Sequence, residues 1–202
     1  MEETSLKIQN QNLRKADFKQ AQRKAAKPLL YIGIVSIVML FAGLTSAYVV
    51  RADNGNWLVF KLPDILLIST ALIVTSSLTM FVAQQAIKKN NLKLTAICIF
   101  ITLGLGIGFF CTQYAGWKEL TSQGIYFMGK ASNASGSFLY LIAIVHLAHM
   151  VGGLIALIVS LTKTLLKKYS SADYLGIELT AIYWHFLDLL WVYLFLFLYF
   201  YR

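Results

Sequence analysis

Charged side chains are scarce in this sequence. Asp, Glu, Lys and Arg make up 13% of its 202 residues, against 58% hydrophobic ones, whereas a soluble domain carries roughly 25% charged residues. That deficit excludes an ordinary water-soluble globule and points to a membrane protein with little mass outside the bilayer. Acidic residues are the scarcer sign, nine against eighteen basic, for a net charge of +9. A basic chain can suit nucleic acid, but seven basic residues precede Leu29 and most others flank apolar runs. Such a distribution fits anionic lipid headgroups and not a nucleic-acid groove. Cysteine is nearly absent. Cys98 and Cys111 fall in one apolar run, with no CxxC and no Cys/His cluster, so both read as small buried hydrophobes. The chain also lacks a nucleophile–base pair, a phosphate loop, a repeat of fixed period and a second domain.

What it has in abundance is long apolar runs. Residues 1–27 are a polar, basic tail containing Lys7, Arg14, Lys15, Lys19, Arg23, Lys24 and Lys27. No small-residue cleavage site precedes the first run, which is long enough to span, so a cleavable signal peptide is not expected. The stretch NLRKADFKQAQRKAAK reads as a solvated, partly disordered tail, with a surface helix as the alternative. Five runs follow, at about 29–50, 65–87, 94–115, 137–161 and 179–200, each near the ~20 residues that cross a bilayer. Lipid admits only helices or closed barrels, and runs this long without strict alternation are helices. The expectation is an all-α, polytopic bundle of five transmembrane helices over residues 28–202.

Basic residues orient the bundle. Thirteen lie in the tail, the 88–93 turn and the 162–178 loop, whereas only Arg51, Lys61, Lys118, Lys130 and Arg202 fall on the other side. The positive-inside rule then predicts a cytoplasmic N-terminus and an outer C-terminus.

All three histidines, His146, His149 and His185, lie inside predicted spans, as does Asp188. An ionisable residue within a span faces the protein interior and is a functional candidate by default. His146 and His149 share one side of the fourth helix, and His185 and Asp188 one side of the fifth. Trp184, Asp188 and Trp191 form a further stripe at four-then-three spacing. Three readings follow: an interhelical polar pair, an element of a proton relay, or histidines on neighbouring helices clamping a haem or another metal. At 1.5 Å per residue, His149 and Asp188 differ in depth by about 4–5 Å, which suits a hydrogen-bonded pair across a seam between helices four and five. GLGIG offers Gly104 and Gly108 as a small-xxx-small face, not a dinucleotide loop, since no strand precedes it. Asn133-Ala134-Ser135 is a formal glycosylation triplet. Ser76 and Ser77 are placed to bond their own helix or to glue a neighbour. Phe109, Gln113 and Trp117 recur every four residues near the outer boundary, where Gln113 can reach interfacial water.

GIELTAIYWHFLDLLWVYLFLFLY resembles the last helix of subunit III of haem–copper cytochrome oxidases, through Gly176, Glu178, Tyr183, Trp184, His185, Phe186, Asp188 and Trp191. SFLYLIAIVHLAHMVGG is similar to that family's H-x-x-H-x-x-x-G segment through His146, His149 and Gly153. FAGLTSAYVVR, TSSLTMFVAQQA and the Phe109, Gln113, Trp117 series resemble its other helices, so the likeness covers about residues 30–202. One departure stands out: SIVMLF puts Ile37 where many members carry a buried carboxylate. The resemblance implies the short five-helix bacterial form of a non-catalytic subunit in the bacterial inner membrane. It implies direct packing on oxidase subunit I, with subunit II in the same complex. It further implies bound phospholipid, support of proton uptake and of durability, and no cofactor of its own, haem and copper residing in the partner subunits. His146, His149, Glu178, Trp184, His185, Asp188, Trp191, Gln113 and Trp117 are then structural or lipid-contacting residues. Two alternatives remain at this stage: a membrane cytochrome using His146 or His149 with His185, and a subunit III-like component of a quinol oxidase or nitric oxide reductase. A proton-coupled transporter is disfavoured by five helices without inverted symmetry or broken helices.

Overall fold

The computed structural model describes residues 2–53, 57–58, 62–129 and 132–201, with the side chains of 2–13, 15, 16 and 19 left aside. Five helices follow one another: α1 (Glu2–Ala52), α2 (Ile65–Lys88), α3 (Leu92–Ser122), α4 (Ala134–Leu165) and α5 (Leu175–Phe200). Each contains a stretch long and apolar enough to cross a membrane. No named strand occurs among the described residues; the one bridge joins Ser170 to Asp173 in the turn before α5.

The chain divides into two units, Met1–Val38 and Met39–Arg202. In the first, the backbone is helical from Glu2, where the sequence had suggested a partly disordered tail. Residues 6–27 contain no Gly or Pro and are rich in Leu, Lys, Gln, Arg and Ala, which are strong helix formers. Pro28 sits inside α1; its missing N–H removes one rung of the ladder without ending the helix. Ser36 Oγ donates to the Ile32 carbonyl at 3.0 Å, so this hydroxyl is satisfied within its own turn. Ile37, where the resemblance would place a carboxylate, is half-buried on the same helix.

In the second unit, α2 and α3 form a tight antiparallel hairpin. Asn90 takes φ 58°, a left-handed conformation that Asn adopts more readily than most side chains. Asn91 then caps α3, its side chain accepting from the Leu94 N–H at 3.1 Å. Along the hairpin, Ser69 Oγ donates to Thr112 Oγ1 at 2.9 Å and the Thr79 and Thr102 hydroxyls lie 2.7 Å apart. A Cβ on Gly116 would lie 3.3 Å from the Ile65 and Leu66 side chains, which pack directly on the bare α3 backbone there.

The α3–α4 connection is shorter than the apolar runs suggested, because α3 continues to Ser122 and α4 begins at Ala134. Tyr140 pins it by donating to the Ile125 carbonyl at 3.1 Å, and Ser137 Oγ donates to the Phe127 carbonyl at 2.8 Å. Asn133 is the N-cap of α4, a local duty that accounts for this side chain. The core holds Trp184, Ile73, Met80, Ile99, Phe109, Ile142, Met150 and Leu157. The outside is apolar as well: Leu67, Phe100, Ile155 and Leu189 are all more than half exposed. Such a surface belongs in lipid or against other membrane helices.

Candidate functional site

Three buried positions on α5, Trp184, Asp188 and Trp191, form the expected stripe. The stripe faces α2. Trp184 Nε1 donates to Ser76 Oγ at 3.0 Å, and Trp191 Nε1 donates to Thr70 Oγ1 at 3.2 Å. The later tryptophan pairs with the earlier hydroxyl, so α2 and α5 run antiparallel. Ser76 also donates to the Ile73 carbonyl at 2.7 Å, which leaves a lone pair free to receive the indole N–H. Ser77 Oγ and His185 Nδ1 lie 2.6 Å apart. The serine pair therefore glues α2 to α5.

Trp184 is fully buried because two glycines make room for it. A Cβ on Gly106 would meet Trp184 Cη2 at 2.8 Å, and one on Gly153 would meet Trp184 Cε3 and Leu187 Cδ1 at 3.1 Å. One indole thus touches α2, α3 and α4. This corrects the expected small-residue face: Gly104 meets nothing within 4 Å and Gly108 only Leu72 at 3.8 Å, whereas Gly106, between them, makes the close contact. Every residue of GLGIG is apolar, so composition carried no signal of which glycine turned inward.

The expected pairing of Asp188 with His149 is not formed. His149 Nδ1 lies 2.7 Å from the Val145 carbonyl of its own helix, and His185 is engaged with Ser77. Neither carboxyl oxygen of Asp188 has a hydrogen-bond partner. Hydroxyl groups make the α4–α5 seam instead: Ser160 and Thr180 are 2.8 Å apart, and the Tyr183 hydroxyl donates to the His149 carbonyl at 3.2 Å. Matching depth put His149 and Asp188 at one level, but not on facing sides.

His146 is completely buried, and neither ring nitrogen is hydrogen-bonded. Its ring packs at 6.4 Å from Phe41, 6.0 Å from Phe109 and 5.2 Å from Trp191. Phe41 also contacts His149 at 5.9 Å, so the C-terminal part of α1 reaches α4 through this phenyl ring. Further along α1, Tyr48 packs edge-on to Trp57, Phe138 and Phe197, and the Thr45 hydroxyl lies 3.3 Å from that of Tyr193. Gln113 is 1% exposed, with no partner for its amide nitrogen. It points inward and not to the interfacial water expected for it. Trp117 packs at 6.0 Å from Tyr140, whose hydroxyl oxygen also lies 3.3 Å from the Trp117 carbonyl oxygen. Glu178 lies in the first turn of α5, where a carboxylate complements the helix dipole.

A bis-histidine haem site needs two imidazoles aimed at one iron. His146 stands among the Phe41, Phe109 and Trp191 rings, whereas His185 turns to Ser77 on α2. Among the described residues, no group of three or more His, Cys, Asp or Glu side chains is placed to hold a metal ion. The geometry can hold helices together, and it presents one unpartnered carboxyl group.

The fold and this seam define a multi-pass, all-α membrane protein tied by indole–hydroxyl hydrogen bonds. Sequence comparison gives the family. The model of "Cytochrome c oxidase subunit III" matches residues 57–202. The chain is 35% identical over 179 residues to the "Probable cytochrome c oxidase subunit 3" of Nocardia farcinica, covering 85% of each. It is 31% identical over 181 residues to that of Mycobacterium tuberculosis, again covering 85% of each. Against the "Cytochrome c oxidase subunit 3" of Myxine glutinosa it is 30% identical over 140 residues, 69% of this chain and 50% of that one. The chain belongs to the cytochrome c oxidase subunit III family, and membership of that complex implies partner subunits.

Proposed function

We propose that this chain is an accessory, non-catalytic subunit that packs on subunit I of a haem–copper terminal oxidase. It retains phospholipid at its apolar surface and supports proton uptake and the durability of the complex during turnover. Haem and copper belong to the partner subunits, and subunit II shares the assembly. The observation that carries this reading is the use made of α5. Trp184, His185 and Trp191, in the stretch most like the family, are taken up in bonds to Ser76, Ser77 and Thr70, which is work for a scaffold. The basic residues favour an N-terminus in the cytoplasm and a C-terminus in the periplasm of a bacterial inner membrane. Cytochrome c is the favoured electron donor, because the relatives carry that substrate in their names; a quinol oxidase is the second reading.

Affinity purification of the tagged chain from native membranes tests this. A haem-bearing subunit I should accompany it, and the chain separated from the complex should show no Soret band. A strong Soret band on the separated chain would instead support the membrane cytochrome.

A further inference from the structure

Asp188 is 4% exposed, and both its carboxyl oxygens are buried without a hydrogen-bond partner. It lines a notch of about 340 Å³ between α2 and α5, together with Val74, Ser77, His185, Leu189 and Val192. The Ser77 hydroxyl is the polar group beside the carboxyl in this notch, but its short contact is to His185 Nδ1 at 2.6 Å, which leaves the carboxyl poorly satisfied. The notch opens on the outside of the helix pair, since Val74 is 46% and Leu189 70% exposed. A buried carboxyl left unpaired is expensive in either protonation state, more so in hydrocarbon.

Depth selects what can relieve it. Asp188 stands twelve to thirteen residues from each end of α5, and Ser77 eleven to twelve from each end of α2. At 1.5 Å per residue both lie about 16–20 Å from either helix end, near the middle of the membrane. A lipid headgroup cannot reach that level, and an acyl chain offers no donor. A side chain on another transmembrane helix can.

We propose that the Ser77–His185–Asp188 notch receives a hydrogen-bond-donating side chain, presented at mid-membrane by a helix of another oxidase subunit. The proposal rests on the reading of this chain as a subunit seated in that complex, and it assigns the α2–α5 outer face to the contact. The exposed apolar side chains of Val74 and Leu189 close around the incoming donor, so that a polar centre is ringed by dry contacts.

The test uses the assembled, purified oxidase. A benzophenone amino acid is placed at Leu189 or, in a second variant, at Val74; a third variant carries it at Ile155 of α4 as a reference. Irradiation should join the subunit covalently to a haem-bearing partner from Leu189 or Val74, and more efficiently than from Ile155. In parallel, Asp188→Leu should release the subunit from the complex roughly tenfold faster or more in detergent, a loss on the scale of one charged or strong hydrogen bond. The same variant of the separated chain should melt no lower than wild type, because the one hydroxyl beside the carboxyl, that of Ser77, keeps its contact to His185. A role confined to internal packing would lower that melting point instead. If the complex co-purifies but Leu189 and Val74 yield only lipid adducts, and Asp188→Leu is retained like wild type, the notch faces lipid and this inference fails while the subunit assignment stands. Failure of the wild-type chain to co-purify with any haem protein overturns both.

Discussion

The Trp184 indole N–H meets the Ser76 hydroxyl oxygen at 3.0 Å across the α2–α5 interface, while its ring fills the space left by the missing side chains of Gly106 and Gly153. One residue therefore ties three other helices to α5, by a hydrogen bond on one side and by close packing on two. In lipid no hydrophobic drive pulls helices together, so contacts of this kind must supply the association.

Gly106→Ala should destabilise the bundle by about 1–3 kcal/mol, the usual effect of forcing a methyl group into a filled core. The added carbon would sit 2.8 Å from the rigid Trp184 ring, which has little freedom to retreat. Gly104→Ala, facing open space, should be neutral or raise stability by up to about 1 kcal/mol through helix propensity. Thermal denaturation of the two variants in the same detergent measures the contrast. Equal effects would place the close contact elsewhere.

A double-mutant cycle on Trp184→Phe and Ser76→Ala should return a coupling energy between about 0.5 and 1.7 kcal/mol, the range for hydrogen bonds between membrane helices. Each single variant also disturbs packing, so only the coupling isolates the bond. Trp191→Phe with Ser76→Ala should show no such coupling, because Trp191 donates to Thr70.

Salt should not strip the subunit from its complex. The outer face of the membrane-spanning stretches is largely apolar, and contacts inside the membrane lie beyond the reach of ionic screening in the aqueous phase. Washing native membranes or mild-detergent complexes with 1 M salt (Debye length about 3 Å) should leave stoichiometry unchanged. Release under those conditions would locate the contact in the polar loops.

A reporter fused after Arg202 should read out as periplasmic, and one fused before Met1 as cytoplasmic. Five helices that each cross would put the two ends on opposite sides, and the excess of basic residues in the tail and two loops favours a cytoplasmic N-terminus. Matching readouts at both ends would mean that one helix does not cross.

The sequence by itself determined the five helices and their membrane setting. Each span must satisfy its own backbone in hydrocarbon, so length and apolarity of a run are local properties legible without neighbours. The stripe of Trp184, Asp188 and Trp191 was legible for the same reason, because helical period alone puts them on one side. The family was legible in the Tyr183–Trp191 motif. The helical state of residues 2–27 was not, since a polar stretch of good helix formers without a periodic apolar face is equally compatible with a solvated tail.

Only the tertiary structure decided which side chains meet. Matching depth at about 1.5 Å per residue set His149 of α4 opposite Asp188 of α5. In the bundle α5 also lies against α2, whose Thr70, Ser76 and Ser77 carry the bonds to Trp191, Trp184 and His185. Asp188 lies buried between those helices, at the base of a notch beside Ser77 and His185. Periodicity fixes which residues share a face of one helix, but the neighbour of that face depends on the order of non-consecutive helices around the bundle. That order is set by where small residues such as Gly106 and Gly153 admit a large ring, a property of the packed helices together and of none of them alone.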